Sequence, residues 1–192
     1  MEVLEAIKAR RSVRSYTSEP VPDEVLRRLL EAARLAPSAM NYQPWRFIVV
    51  RSQEARDRIA RGGMFARFVR GAPVVIVACG DTGSRFHVHD TCIALEHLVL
   101  AATSMGLGSC WIGSFDEEEL REMLGIPGKF SVVALVSIGF PEERRDLGRS
   151  FLHFFRSTKR LDEIAFQEVY GRPLGSGEPA GRAGLEPAFS SL

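Results

Sequence analysis

The sequence predicts a mixed α/β (α+β) fold with about four core strands and more helix than strand. Residues 73–79 (PVVIVAC) are apolar and β-branched without alternation, which is typical of a strand buried on both faces. Residues 131–139 (SVVALVSIG) predict a second buried strand. Helical patterns are more numerous, but they do not alternate regularly with the strands. A strictly doubly wound parallel sheet is therefore not expected.

Length and composition restrict the class of protein. The 192 residues favour one domain, and 45% hydrophobic and 26% charged residues are close to a globular average. A net charge of +1 does not indicate a nucleic-acid or membrane partner. No apolar stretch approaches the ~18 residues of a membrane span, and the N-terminus lacks a signal-peptide core. We expect a cytoplasmic protein with three reduced, buried thiols, those of Cys79, Cys92 and Cys110.

The N-terminal part predicts two helices. Residues 2–10 form the first, with an apolar face made by Val3, Leu4 and Ile7. The second begins after Pro22, where two acidic residues suit the positive end of a helix dipole. Its apolar stripe recurs at helical spacing and consists of Val25, Leu26, Leu29, Leu30 and Ala33.

A strand, a capped helix and the long helix follow. Residues 45–50 (WRFIVV) predict the strand, and Ser52 is expected to cap a polar helix that ends near Gly62–Gly63. The longest helix covers about residues 87–105 and is stopped by Gly106. Its residues expected to face the core are Val88, Cys92, Leu95, Val99 and Ala102.

The remaining chain predicts two more helices and a tail. A helix over about residues 117–124 is capped by Asp116 and ends at Gly125. A last helix is expected over about residues 161–169. The domain organisation is then a folded domain over residues 1–170 and a Gly-, Pro-, Ala- and Ser-rich tail over 171–192, which is disordered or an arm anchored by Leu185 and Phe189.

Several common sites are not supported. The stretch from Gly106 has Trp111 where a dinucleotide fingerprint needs its third glycine, and neither GxSxG nor HExxH occurs. His87 and His89 lie two positions apart on a helix, where side chains diverge by about 200°. They are interpreted as helix-surface histidines, so neither a metal site nor a serine hydrolase is expected.

Three motifs carry candidate chemistry. The arginine segment, residues 10–16 (RRSVRSY), offers guanidiniums for a phosphate, although they also suit a helix C-terminus facing water. The amide loop, residues 36–45 (APSAMNYQPW), offers amides for the edge of a heteroaromatic ring, or forms a turn before a strand. The glycine segment, residues 106–115 (GLGSCWIGSF), allows close approach of a flat ligand, or is a tight helix-to-strand connection.

Together these motifs resemble the nitroreductase family of flavoproteins. RRSVRSY, APSAMNYQPW, APVVIVACGD and DTCIALEHLVLAATSMGLGSCWIGSF stand in that family's order and spacing, over roughly residues 2–170. The resemblance implies a central, mostly antiparallel sheet flanked by helices in an intertwined homodimer. It also implies FMN bound at the dimer interface, with both copies of the chain contributing to each site.

The resemblance assigns roles to individual residues. Arg10, Arg11 and Ser12 would hold the flavin phosphate, and Arg14 would lie near the N1/O2 edge of the ring. Lys159 and Arg160 would match a basic pair that contributes to the phosphate site. The second copy of the chain would supply Pro37, Ser38, Ala39, Met40, Asn41 and Gln43. The groups facing N5 and O4 of the ring would come from Cys110, Trp111, Ile112 and Gly113, with the Gly113 amide as the preferred donor.

The sequence departs from the family pattern at one contact with the flavin ring. Some family members place an Asn before the buried strand, whereas residues 62–65 (GGMF) contain none, so this ring contact is missing or replaced.

The implied reaction is ping-pong hydride transfer from NAD(P)H to a nitroaromatic, quinone or flavin, with no catalytic side chain required. Phe65, Phe68 and Phe115 line the open face of the ring or simply pack in the core. The alternatives are a specialised flavin chemistry (dehalogenation, ring dehydrogenation or flavin destruction) and a flavin-binding protein without turnover.

Overall fold

A computed structural model of the protein describes residues 1–63, 66–142 and 158–174. Met64 and Phe65, residues 143–157 and most of the tail, with its expected anchors Leu185 and Phe189, lie outside the described residues. The chain divides into two compact units, Met1–Arg144 and Arg145–Leu192. The regular elements of the first unit are, in order, α1 (Val3–Ala9), α2 (Asp23–Arg34), β1 (Trp45–Val50), α3 (Gln53–Arg61), β2 (Val74–Asp81), α4 (His87–Ser104), β3 (Gly108–Ile112), α5 (Glu117–Leu124) and β4 (Phe130–Gly139).

The four strands form one antiparallel sheet in the order β1-β2-β4-β3. Strand β1 begins at Trp45, which pairs with Gly80, and β3 begins at Gly108, which pairs with Gly139. The predicted mixed fold with about four strands is confirmed. Strand β3 occupies one edge of the sheet, where the sequence indicated only a short glycine-bounded segment.

Helices cover both faces of the sheet, which explains the unbroken apolar pattern of β2. Successive residues of this strand enter two different clusters: Val74, Ile76 and Ala78 pack with α2 and α4. Val75 and Val77 pack on the opposite face with α3 and α5. Because both faces of the strand are covered, neither can be polar.

Local helix signals predict the first-unit helices well. The stripe of α2 is buried or half-buried, as expected. The Ser52 hydroxyl accepts a hydrogen bond from the Ala55 amide at the start of α3. The Asp116 carboxylate accepts from the Glu119 amide at 3.0 Å, and Gly125 ends α5 with φ of 63°. These caps confirm the predicted bounds.

Two predicted apolar faces are not fully buried. In α4, Leu95, Val99 and Ala102 are buried as predicted, whereas Val88 is 45% exposed and Cys92 is half-buried. The residues of α4 that are buried are Asp90, Thr91, Ala94, Leu95, Leu98, Val99 and Ala102. In α1 only Ala6 is buried, so Val3, Leu4 and Ile7 form an apolar face exposed in one copy of the chain.

The cysteines are free thiols, and their burial differs from the expectation at one position. Cys79 and Cys110 are buried, whereas Cys92 is half-buried. Burial raises the pKa of the Cys79 thiol to about 11, so this group remains protonated at neutral pH.

The predicted helix over residues 161–169 is wrong. Among the described residues of the second unit, 158–174, only Leu161–Glu163 forms a 3₁₀ turn, after which the chain reverses. Phe166 bridges to Pro173, and the Gln167 amide donates to the Arg172 carbonyl at 2.9 Å. The reversal places Glu168 and Gly171 at positive φ, a conformation that an α-helix excludes.

Candidate functional site

The arginine segment lies beside the edge strand β3. Ser12 forms a parallel bridge with Ser109, and the Val13 amide donates to the Ser109 carbonyl at 2.8 Å. This pairing brings the arginine segment and the glycine segment together, two motifs that are far apart in the sequence.

Small residues make this approach possible. A Cβ atom on Gly108 would lie 2.7 Å from the Cβ of Val13, a distance that side chains do not tolerate. Val13 itself is buried, so it has no space to move aside. Gly108 is therefore required by packing, a role that the sequence pattern alone did not assign to it.

Two buried hydroxyl groups, those of Tyr16 and Ser137, hold the arginine segment in place. The Tyr16 hydroxyl donates to the Val13 carbonyl at 2.6 Å and lies 2.8 Å from the Ser137 hydroxyl. The Ser137 oxygen is in turn 3.4 Å from the Cys110 carbonyl of β3. Burial raises the pKa of Tyr16 well above its usual value, so the phenol stays neutral. Tyr16 and Ser137 thus support the site without belonging to it.

The cations of the arginine segment are available to an anion. Among the described residues, no carboxylate lies within the 4.0 Å of an ion pair from the guanidinium of Arg10, Arg11 or Arg14. Arg10 is half-buried, and the other two are exposed. The Arg14 guanidinium lies 5.8 Å from the centre of the Phe68 ring. Positive charge without a protein partner fits a bound phosphate.

The glycine segment includes an open backbone position just past β3. Cys110 and Ile112 are buried and Trp111 is half-buried. Gly113, just past β3, is exposed, and among the described residues no atom beyond its two chain neighbours lies within 4 Å of the position of a Cβ there. A flat ligand can therefore approach the backbone at Gly113.

The end of α3 packs against the glycine segment. A Cβ on Gly63 would lie 2.1 Å from the Ser114 carbonyl oxygen, so only glycine fits there. Gly63, in the sequence that lacks Asn, is thus adjacent to Ser114, the neighbour of the predicted N5/O4 donor Gly113. Phe115 is half-buried against the core on the α3 and α5 face, and Phe68 packs there as well.

The amide loop is held in an unusual backbone conformation. Met40, Asn41 and Gln43 have φ of 50°, 57° and 49°, in the left-handed region that side chains disfavour. The Ser38 hydroxyl accepts from the Gln43 amide at 2.9 Å, and the Gln43 side chain donates to Asn41 Oδ1 at 2.8 Å. Pro37, Ser38 and Ala39 precede these residues in the loop. Strain of this kind is concentrated at binding and catalytic sites.

A buried carboxylate anchors the amide loop. The Ala39 amide donates to both carboxylate oxygens of Asp90, each at 3.3 Å. Asp90 lies in the first turn of α4 and is only 4% exposed. The sequence pattern did not single out Asp90, because an acidic residue near the start of a helix is common.

One copy of the chain does not bring the amide loop to the arginine segment. The loop precedes Trp45 on one edge strand, whereas Ser12 lies beside Ser109 on the other. The strand pairings also place Trp45 and Ser109 at opposite ends of the sheet. Strand spacing and rise put these corners roughly 25 Å apart.

The basic pair, Lys159 and Arg160, belongs to the second unit. The Arg160 guanidinium donates to the Asp162 carboxylate at 2.9 and 3.0 Å, which raises the pKa of Arg160 and lowers that of Asp162. Lys159 is exposed. Arg160 is therefore engaged by a neighbour on its own turn.

Among the described residues, the histidines of α4 do not form part of a metal site. Where the structure describes the chain, no three His, Cys, Asp or Glu side chains converge on a point that could hold a metal ion. The Nδ1 atom of His87 lies 2.8 Å from the Ser84 carbonyl, and His89 packs edge-on against Phe86. No helix within the described ranges is long and apolar enough to cross a membrane.

Comparison with known proteins identifies the family. The sequence model of the nitroreductase family matches residues 7–62 and 62–140. A protein of Archaeoglobus fulgidus, named as an NADH dehydrogenase/NAD(P)H nitroreductase, is 40% identical over 76% of this chain and 88% of its own length. The FMN reductase [NAD(P)H] of Bacillus subtilis is 30% identical over 74% of this chain and 67% of its own length.

A solved structure agrees with these matches. The FMN-dependent nitroreductase of Clostridium difficile R20291 superposes with a TM-score of 0.67 at 33% identity, covering 81% of this chain and 98% of that protein. The antiparallel sheet flanked by helices is thus the architecture that the resemblance implied. The chain belongs to the nitroreductase family.

Proposed function

We propose that this protein is an FMN-dependent oxidoreductase that uses NAD(P)H to reduce small electron-poor acceptors. Membership of the nitroreductase family supports oxidoreductase activity. Relatives named as an FMN reductase [NAD(P)H] and an FMN-dependent nitroreductase support the cofactor and the electron donor. One observation carries the proposal. The arginine segment is hydrogen-bonded to β3, and among the described residues no carboxylate forms an ion pair with its guanidiniums.

The donor set of the arginine segment fits the phosphate of FMN. Arg10, Arg11 and the Ser12 hydroxyl stand on three consecutive positions whose backbone is fixed by the Val13–Ser109 hydrogen bond. They lie after the C-terminus of α1, where the helix dipole disfavours an anion. Side chains must therefore hold the phosphate, and bidentate guanidinium contacts are well suited to this.

Arg14 and Gly113 fit the isoalloxazine ring. When bound, FMN supplies hydride acceptance from NAD(P)H and hydride delivery to a second substrate. The Arg14 cation would stabilise the negative charge that reduction places at the N1/O2 edge. The exposed Gly113 amide would donate a hydrogen bond at the N5/O4 edge. No side chain of this chain needs to transfer a proton in this proposal, so none is assigned as catalytic.

A homodimer is part of the proposal. The amide loop is strained and exposed, yet it lies roughly 25 Å from the arginine segment of its own chain. Two copies can satisfy both motifs if the loop of one chain approaches the arginine segment of the other. The exposed apolar face of α1, formed by Val3, Leu4 and Ile7, supports an interface of this kind.

The visible spectrum of the purified protein tests the function. A flavin spectrum that bleaches on anaerobic addition of NADH or NADPH, and recovers on addition of a quinone or nitroaromatic, is the expected result. A flavin spectrum that neither nucleotide bleaches would favour a flavin-binding protein without turnover. A colourless protein that does not take up added FMN would contradict the cofactor itself.

A further inference from the structure

A cavity that shares no lining residue with the proposed flavin site is lined by basic residues. Its volume is about 460 Å³, within the range of small-molecule sites. It lies where three segments of the first unit meet: residues 17–21, the start of α3, and the connection between Arg70 and β2. We call it the arginine cavity, after its three basic residues Arg51, Arg56 and Arg70.

The arginine cavity is positive, because no carboxylate is among its lining residues. Arg51 pairs with Asp23 at 2.6 Å outside the lining, and the Arg70 guanidinium is 3.9 Å from Asp57. Arg56 has no carboxylate within ion-pair distance in the part of the chain that the structure describes. The charges of the lining are thus only partly balanced.

Arg56 shows why this charge remains. Its guanidinium donates to the backbone carbonyls of Arg70 and Ala72 and to Oε1 of Gln53, all of them neutral acceptors. Partial burial lowers its pKa, and the nearby charge of Asp57 opposes this effect only in part. Neutral acceptors orient a guanidinium but leave its charge for an anion to neutralise.

The start of α3 adds to the same potential. Gln53 is its first residue and lines the cavity. The positive end of the nine-residue helix therefore adjoins the three guanidiniums. Thr17 and Ser18 also line the cavity.

The remaining wall is apolar, formed by Pro20, Val21, Pro73 and Val74. A bare inorganic ion would leave this wall unused, whereas an organic body would cover it. We propose that the arginine cavity binds the phosphate group of a small organic phosphate. The proposal does not depend on FMN binding, because none of the lining residues belongs to residues 10–14 or to the amide or glycine segments.

Two sources of this phosphate are chemically equivalent. The cavity adjoins the arginine segment, since Thr17 follows it directly and Arg70 lies two positions after Phe68, which contacts Arg14. One source is therefore a phosphate of the nucleotide electron donor, an assignment that rests on the proposed function. The other is a separate phosphorylated small molecule.

Calorimetric titration of the FMN-saturated protein tests the site, with AMP and inorganic phosphate as probes at constant ionic strength. The variant is Arg70→Gln, because Arg70 has an exposed side chain and only a long ion pair, so its loss leaves the fold intact. Arg28→Gln removes the same charge from the exposed surface of α2 and is the matched control.

We expect one AMP to bind per chain, more tightly than inorganic phosphate. Arg70→Gln should raise the dissociation constant about tenfold, and Arg28→Gln less than about twofold. If the KM for NADPH or NADH rises in Arg70→Gln, the occupant is the nucleotide donor; if it is unchanged, the occupant is a separate phosphate. Absence of saturable binding to the unmodified protein, or equal effects of the two variants, would overturn the site. Bleaching of the flavin by NAD(P)H reports the proposed function independently.

Discussion

The amide of Val13 donates a 2.8 Å hydrogen bond to the carbonyl of Ser109, and this contact fastens the arginine segment to the edge strand β3. Two motifs that are remote in sequence become one surface. The arginine segment carries three guanidiniums and a serine hydroxyl, and the glycine segment carries the open backbone at Gly113. The predictions below follow from this arrangement and from the residues that support it.

Removal of the paired cations should weaken FMN binding. We expect Arg10→Ala with Arg11→Ala to reduce the binding free energy by more than about 2 kcal/mol, because charge-assisted hydrogen bonds to the phosphate are lost. Quenching of FMN fluorescence on titration with protein measures this affinity. Arg27→Ala with Arg28→Ala removes two exposed arginines of α2 and should leave it nearly unchanged. A double variant that purifies as yellow as the unmodified protein would contradict the assignment.

Gly108→Ala should disturb the same surface through packing. The added methyl group would meet the Val13 side chain at 2.7–2.8 Å, so we expect a loss of about 1–3 kcal/mol in the free energy of unfolding and weaker FMN binding. Denaturant unfolding at fixed protein concentration measures the first effect. Gly128→Ala, where no atom lies within 4 Å of the new Cβ, is the control and should cost little. Equal stability of the two variants would show that Val13 is not tightly held.

Tyr16→Phe tests the buried hydroxyl pair. The variant keeps the ring but leaves the Val13 carbonyl and the Ser137 hydroxyl without this partner, which should cost about 1–3 kcal/mol of stability. Because Val13 also bonds to Ser109, we expect the FMN dissociation constant to rise as the arginine segment loosens. Tyr170→Phe alters a phenol that is 91% exposed and provides the control. Unchanged FMN affinity in Tyr16→Phe would remove the positioning role.

Alkaline pH should destabilise the fold through Cys79. Its folded-state pKa of about 11 lies above the usual value near 9, so the unfolded chain loses the proton first as pH rises. The stabilisation is complete below pH 9 and is lost as pH rises towards 11. Between these limits the free energy of unfolding should fall by roughly 1–2 kcal/mol more in the unmodified protein than in Cys79→Ser. Parallel pH dependences of the two proteins would contradict the buried, protonated thiol.

Features written in neighbouring residues could be predicted from the sequence. Strand β1 and helix α5 have their predicted bounds, because WRFIVV is a short apolar run and Asp116 and Gly125 are strong cap signals. The prediction of a helix at residues 161–169 was wrong because of a contact between residues seven positions apart. Its apolar spacing is helical, but the Phe166–Pro173 bridge folds the chain back on itself.

Features that depend on distant parts of the chain could not be predicted from residue patterns. The core-facing side of α4 is set by contacts with α1, α2 and the sheet, and it departs from the predicted apolar stripe at Val88 and Cys92. The Asp90–Ala39 and Gly63–Ser114 contacts each join segments about 50 residues apart. The separation of the amide loop from the arginine segment follows only from the order of the strands.

The central claim is that each site is shared between two copies of the chain, and a heterodimer tests it most directly. One chain carries Arg10→Ala and Arg11→Ala; the other carries Ser38→Ala, Asn41→Ala and Gln43→Ala, and different affinity tags allow purification of the mixed dimer. Each variant alone should fail to retain FMN. The mixed dimer should bind about one FMN, because one of its two sites combines an intact arginine segment with an intact amide loop. A mixed dimer as empty as its parents, or an amide-loop variant that retains FMN by itself, would contradict the shared site.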